Sequence, residues 1–278
     1  MKSISRLLAA FALLQLGACS TEVKNMANAE TALAPTPAFA VYAAGSLRTA
    51  ITQVAQDYQA RTGQAVELSF GASGLMRERI EKGEPAQVFA SADTEHPTRL
   101  AAGGSWQQPR VFVRNSLCAL TAAHIDSTPD TLLKTMLLPQ VRVGTSTPKS
   151  DPAGDYAWAL FKKADVLQPG AYAALDAKAL KLTGAADSPK PPEGRTFYAW
   201  AMDEGQADVF LTYCTNAMAA QKDVPRLKVV ALPATLQVGA PYGLTVRKTA
   251  SPQAQAFARA LLEPAAQQVF ARFGFGSP

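Results

Sequence analysis

The chain has 278 residues, of which 48% are hydrophobic and 18% charged, and it carries a formal net charge of +5 with two histidines and three cysteines. The basic residues are spread out, with no run of five or more, which argues against a nucleic-acid-binding surface. A mild positive field of this kind favours approach of an anion but is screened over about 8–10 Å at physiological salt.

The first residues read as an export signal. Lys2 and Arg6 form a basic start, and Leu7 to Ala18 is an apolar stretch too short to span a bilayer. It closes on Leu16-Gly17-Ala18-Cys19, which resembles a lipoprotein processing site. Residues 1–18 are therefore expected to be removed, leaving Cys19 as a lipidated N-terminus that is anchored to the membrane rather than spanning it. Ser20 follows the cysteine, and the choice between inner and outer membrane stays open. Residues 19–38 are small, polar and proline-bearing without apolar periodicity, and read as a lipidated tether. The remainder, roughly 240 residues, is room for two compact lobes or one large domain.

From Ala38 the pattern alternates strand and helix. A strand over 38–44 leads to a helix expected to be capped by Ser46, with Leu47, Ile51, Val54 and Tyr58 on one face and Gly63 as its stop. A strand over 65–70, a helix opened by Ser73, a strand at Val88 and a helix through Leu100 follow. Val111–Val113 and Ser116–Thr121 read as two strands, and Thr128-Pro129 as the cap and first turn of a helix over 130–138. Beyond a short strand at Val141–Val143, helices are expected from Ala153 to Phe161, around 172–182 and over 196–204. Strands at 208–213, 228–232 and 242–246 precede two final helices, 252–262 and 264–273. Strict alternation argues for α/β architecture with largely parallel sheets. Cys118 and Cys214 fall in separate apolar strands, where a disulfide and two buried thiols are equally compatible with an oxidising compartment. They do not make a metal site. His96 and His124 read as solvated surface histidines.

One stretch carries more information than the rest. Residues 70–93, Phe-Gly-Ala-Ser-Gly-Leu-Met-Arg-Glu-Arg-Ile-Glu-Lys-Gly-Glu-Pro-Ala-Gln-Val-Phe-Ala-Ser-Ala-Asp, place a serine hydroxyl and free N–H groups at a helix start after a strand. With Ala43-Ala44-Gly45-Ser46-Leu47, this stretch resembles the periplasmic molybdate-binding proteins, the soluble receptors of ATP-driven oxyanion importers. The resemblance implies a two-lobe, type II periplasmic binding fold: lobe I from 39–113 plus 235–278, lobe II from 114–234, with ligand in the cleft between them.

It also implies the ligand set. Ser46 and Ser73 each correspond to a serine giving a hydroxyl and a backbone N–H to the oxyanion. Asp151-Pro152-Ala153-Gly154 resembles the family's Pro-Ala-Gly segment, with the Ala153 N–H as donor, and Tyr213 matches the phenol that bonds the anion. Such a ring of neutral donors suits a tetrahedral dianion, whose four oxygens only accept. Molybdate or tungstate is the implied ligand, an ABC permease the implied partner, and the periplasm the implied location, with the protein acting as a monomer and without cofactor or metal.

Gly45, where the family has alanine, and Gln87, where it has aspartate, are small departures from the pattern; the more serious ones lie in lobe II. Arg195 stands where the family has an apolar residue about eighteen positions before the tyrosine, and reads either as an anion clamp in the cleft or as a surface arginine. Asp151 and Asp155 are unusual beside a dianion: either they face away or they mark a different ligand. The alternatives are thus a receptor of the same fold for an organic acid or metal chelate, and an interaction lipoprotein that has lost its ligand. A serine hydrolase centred on Ser73 is disfavoured, because Leu75 stands where the nucleophile elbow requires glycine.

Overall fold

A computed structural model describes residues 37–278. The export signal, Cys19 and tether residues 20–36 lie outside the described residues. Within them the strands are β1 (Phe39–Ala44), β2 (Val66–Gly71), β3 (Ala86–Ser91), β4 (Arg110–Thr121), β5 (Val143–Ser146), β6 (Leu180–Thr183), β7 (Val209–Tyr213), β8 (Lys228–Ala231) and β9 (Gly239–Val246). The helices are α1 (Arg48–Thr62), α2 (Ser73–Glu81), α3 (Glu95–Ala102), α4 (Leu132–Leu137), α5 (Pro152–Leu167), α6 (Ala171–Lys178), α7 (Phe197–Asp203), α8 (Cys214–Asp223), α9 (Pro252–Ala260) and α10 (Pro264–Arg272).

The strands run in the order β2-β1-β3-β9-β4-β7-β5-β6, with β8 also paired to β4. Parallel pairing holds the flanks, β1 to β2 and β3 on one side and β5 to β6 and β7 on the other. The middle is antiparallel, built on β4 and β9. β4 belongs to both half-sheets: Arg110–Ser116 pair with β9, and Leu117–Thr121 pair with β7.

Side-chain alternation on the strands sorts the helices. Phe39, Val41 and Ala43 of β1 face the large core, where Phe257 of α9 meets Phe39 and Tyr58 with ring centroids at 5.7 and 5.2 Å. Tyr42, one residue out of step, faces the other side with Met76, Ile80, Phe89, Leu100 and Trp106, beneath α2 and α3. Gly63 closes α1 in the left-handed region at φ 70°, as the sequence requires.

Five local expectations are corrected. The strands at 111–113 and 116–121 are one strand. Arg114 and Asn115 do not break it, because the buried Asn115 amide is satisfied by Thr215 Oγ1 at 2.9 Å and Tyr242 Oη at 3.2 Å. Thr128 does not cap α4: Thr128 to Thr131 form a turn, and α4 begins after Thr131. The helix expected over 172–182 stops at Lys178, since Leu180–Thr183 pair in parallel with β5. α8 had no counterpart in the sequence reading, because its buried face is made of small residues, Thr215, Ala217 and Ala220, whose periodicity is faint. His96 is buried, 4% exposed, because α3 packs that face down with Pro97, Leu100 and Ala101. Neither of its ring nitrogens finds a hydrogen-bond partner, and Asp93 Oδ2 stands 3.9 Å from Nε2. His124, by contrast, is exposed, beside Asp208.

Cys118 of β4 and Cys214, the first residue of α8, form a disulfide across 96 residues of sequence. A cross-link closing a loop of this length stabilises by about 2–5 kcal/mol, chiefly by constraining the unfolded chain. Reduction, or the Cys118→Ser/Cys214→Ser double variant, is expected to lower the unfolding free energy by about that amount in a urea titration, with the secondary structure retained by circular dichroism.

Candidate functional site

Five strand-to-helix junctions open onto one cavity of about 670 Å3. The end of β1 contributes Ala44, Gly45 and Ser46; the end of β2, Gly71, Ala72 and Ser73; the turn after β3, Ala92; the turn after β5, Asp151; and the end of β7, Tyr213 with Thr215 behind it. The opposite wall is the segment 183–198, which adds Lys190, Arg195 and Phe197. Strand ends that lead directly into helices aim backbone N–H groups and helix N-termini at one point, the arrangement that favours negative charge.

The two serines are not helix caps. Ser46 lies in a single 3-10 turn, Gly45–Leu47, ahead of α1, and Ser73 is the first residue of α2 after Ala72; neither side chain bonds its own helix. Each is instead hydrogen-bonded elsewhere. The Ala92 N–H donates to Ser73 Oγ at 3.0 Å, inside a buried setting. Ser46 Oγ lies 2.9 Å from Tyr242 Oη, a pair in which either oxygen can donate, and that phenol oxygen also accepts from Asn115 Nδ2 at 3.2 Å. Ser73 keeps its own hydroxyl proton free to donate, which suits a ligand made of acceptors.

Tyr213 closes the floor. It is 2% exposed, its ring packs edge-on against Tyr242 at 5.4 Å and Tyr156 at 6.3 Å, and its hydroxyl donates to the Ala92 carbonyl at 3.3 Å. Burial pushes the phenols of Tyr213 and Tyr242 well above their ordinary range, so both stay protonated donors.

The other expected residues sit differently. The Ala153 N–H does not open onto the cavity; it donates to Asp151 Oδ1 at 3.1 Å, because Asp151 caps α5. Of the two readings left open for Asp151, the structure places the residue in the cavity lining, with its Oδ1 on the N-terminus of α5. Asp155 does turn away, accepting from the Lys149 N–H at 3.0 Å. Arg195 lines the cavity, but its guanidinium is held by Asp203 at 2.9 Å with Asp223 at 4.0 Å, and Arg226 pairs with the same Asp203. Arg48 lies over the Phe70 ring at 4.6 Å at the cavity edge. Sequence reasoning missed Ala92, Asn115 and Tyr242. The signal for Asn115 was a lone amide inside an apolar strand; nothing local marked the other two.

A family model described as bacterial extracellular solute-binding protein matches residues 39–276. The chain belongs to that family. Its relatives include "Uncharacterized protein PM1146" of Pasteurella multocida, 38% identical over 181 residues that cover 63% of this chain and 73% of the relative. The molybdate-binding protein ModA of Escherichia coli is 28% identical over 265 residues, covering 90% of this chain and 93% of its own. Among solved structures, the periplasmic molybdate-binding protein of Azotobacter vinelandii superposes with a TM-score of 0.67 at 20% identity, over 86% of this chain and 99% of its own.

The resemblance carried by residues 43–47 and 70–93 therefore holds, and the fold is the type II periplasmic binding fold. The proteins of this family are extracellular and bind solutes. No helix among the described residues is long and apolar enough to cross a membrane.

The packing around the junctions makes a test of the site's geometry. The Gly74 N–H donates to the Ser150 carbonyl at 2.8 Å, joining α2 to the loop before α5. A Cβ on Gly74 would stand 2.6 Å from the Lys149 oxygen and 2.7 Å from that of Ser150, whereas one on Gly45 would meet only the Gly71 oxygen, at 3.9 Å. Gly74→Ala is expected to cost about 1–3 kcal/mol in thermal or urea unfolding, and Gly45→Ala less than about 0.5 kcal/mol.

Proposed function

We propose that the protein is a lipid-anchored receptor that captures a small tetrahedral oxyanion, molybdate or tungstate, and delivers it to an ABC permease. The observation that carries this reading is the convergence of Ser46, Ser73 and Tyr213, from three separate junctions, on one cavity. The Ser73 hydroxyl has its acceptor side occupied, Ser46 is held by Tyr242, and the Tyr213 phenol is kept neutral by burial. The molybdate-binding relative supports the choice of ion. Anchoring through Cys19, with residues 19–38 as tether, lets a monomeric receptor work close to the membrane. Residues 39–113 with 235–278 would close against 114–234 around the ion, with β4 as the strand common to both.

A second reading is favoured by two observations. The cavity of about 670 Å3 exceeds what one tetrahedral ion fills, since such an ion displaces only a few waters, at about 30 Å3 each. Lys190 and Arg48 also line it, as an organic anion would need.

Thermal unfolding of the mature chain with molybdate, tungstate, sulfate, phosphate and citrate separates the two. A ligand at 100 times its Kd adds about 2.7 kcal/mol, a rise of several degrees for a protein of this size. A rise with molybdate and tungstate is the expected outcome. A rise with citrate alone transfers the site to an organic anion, and no rise with any of them overturns the oxyanion reading.

A further inference from the structure

The least expected group in the site is a carboxyl. Asp151 lines the same cavity as Ser46, Ser73 and Tyr213, with Oδ1 on the Ala153 N–H. The groups that act on it come from every side. Asp155 of α5 and Asp93 after β3 are negative, and the phenols facing it are Tyr198 of α7, Tyr213 at the end of β7 and Tyr242 of β9. The buried Ser146 hydroxyl lies beside it, short of a well-formed hydrogen bond. Among the described residues no lysine or arginine pairs with Asp151; the nearby guanidinium of Arg195 is committed to Asp203. Where the segment 183–198 comes closest, it presents Gly184 at φ 89°, and a Cβ there would stand 2.7 Å from that of Asp151.

Burial, then the like charges of Asp155 and Asp93, push the Asp151 carboxyl above the ordinary carboxylate range, against the pull of its bond from Ala153. A dianion beside it would push it further in the same direction. An oxyanion oxygen and an ionised Asp151 oxygen are both acceptors and carry like charge, so they repel when brought together. One proton resolves the clash, whether it arrives on the carboxyl or on the ligand.

We propose, resting on the oxyanion reading above, that Asp151 makes capture proton-coupled: the occupied site holds one proton between the Asp151 carboxyl and a ligand oxygen. A fully deprotonated ion such as molybdate or sulfate must take that proton from solvent, onto the free oxygen of Asp151, which then donates to the ion. An anion that carries its own O–H, such as inorganic phosphate, brings the proton with it. Asp151 thus acts as a specificity-determining residue of the site.

The sign follows from linkage. The occupied state binds a proton more tightly than the empty one, so affinity for a proton-free dianion rises as pH falls, by up to tenfold per pH unit between the two titrations. The test is calorimetric titration of the mature chain with molybdate, sulfate and inorganic phosphate from about pH 6 to about pH 8, where the first two ions remain unprotonated. Repeating it in buffers of different ionisation enthalpy counts the protons taken up. The expected result is a molybdate and sulfate affinity that climbs toward tenfold per unit of acidification, uptake approaching one proton per ion, and a shallower dependence for phosphate. Asp151→Asn keeps an equally good helix cap and offers an N–H donor in place of the carboxylate oxygen. It is expected to abolish the slope, tighten molybdate and sulfate about tenfold near neutral pH, and lose any preference for phosphate.

Binding without proton uptake in the wild-type protein, or an unchanged slope in Asp151→Asn, overturns the proposal while leaving the oxyanion reading in place. Absence of binding by all three ions in both proteins overturns both. If the variant does not fold, the proton count on the wild-type protein decides alone.

Discussion

The structure depends on one strand that belongs to two half-sheets. β4 pairs with β9 along its first half and with β7 along its second, so the parallel flanks β2-β1-β3 and β7-β5-β6 are tied through a single run of backbone. A polar residue buried in the middle of such a strand has to be satisfied locally. Asn115 is, through Thr215 and Tyr242, and the second of these bonds holds the phenol that is hydrogen-bonded to Ser46. The residue that keeps the central strand continuous therefore also orders one hydroxyl of the cavity.

A similar economy holds at the end of β7. Tyr213 lines the cavity, the next residue is the disulfide partner of Cys118, and the one after is the threonine that receives the Asn115 amide. A cross-link and a buried hydrogen bond thus fix the start of α8 against β4, immediately behind the phenol. Positions supported in this way keep their geometry when the cavity is empty, which lowers the ordering cost of binding.

Around these fixed donors the site is not a simple ring of neutral hydrogen-bond donors. The start of α5 is already occupied by the protein's own carboxylate, and the Gly74 N–H is already given to the Ser150 carbonyl. On the reading proposed above, a ligand would meet serine and tyrosine hydroxyls together with an acidic oxygen. Selectivity would then turn on where the protons are as much as on size, because donor facing donor and acceptor facing acceptor are both costly away from water.

The sequence by itself determined the elements whose signals are local. Gly63 stops α1 because only glycine takes that left-handed turn cheaply, and the Leu47, Ile51, Val54, Tyr58 face places α1 on the core. Ser46, Ser73 and Tyr213 stood out in the sequence through the family resemblance, the serines after strands at helix starts and the tyrosine at a strand end; that all three line one cavity is a fact of the fold. Only tertiary structure decided what these side chains bond to. The hydrogen-bond partners of Ser46 and Ser73 lie 196 and 19 residues away, and no local pattern encodes such a distance. The same holds for β6, which is a strand because β5 is beside it, and for α8, whose alanine face needs β4 and β8 to bury it. It holds for Asp151 as well: that it lines the same cavity as Ser46, Ser73 and Tyr213 follows from five chain segments meeting in space.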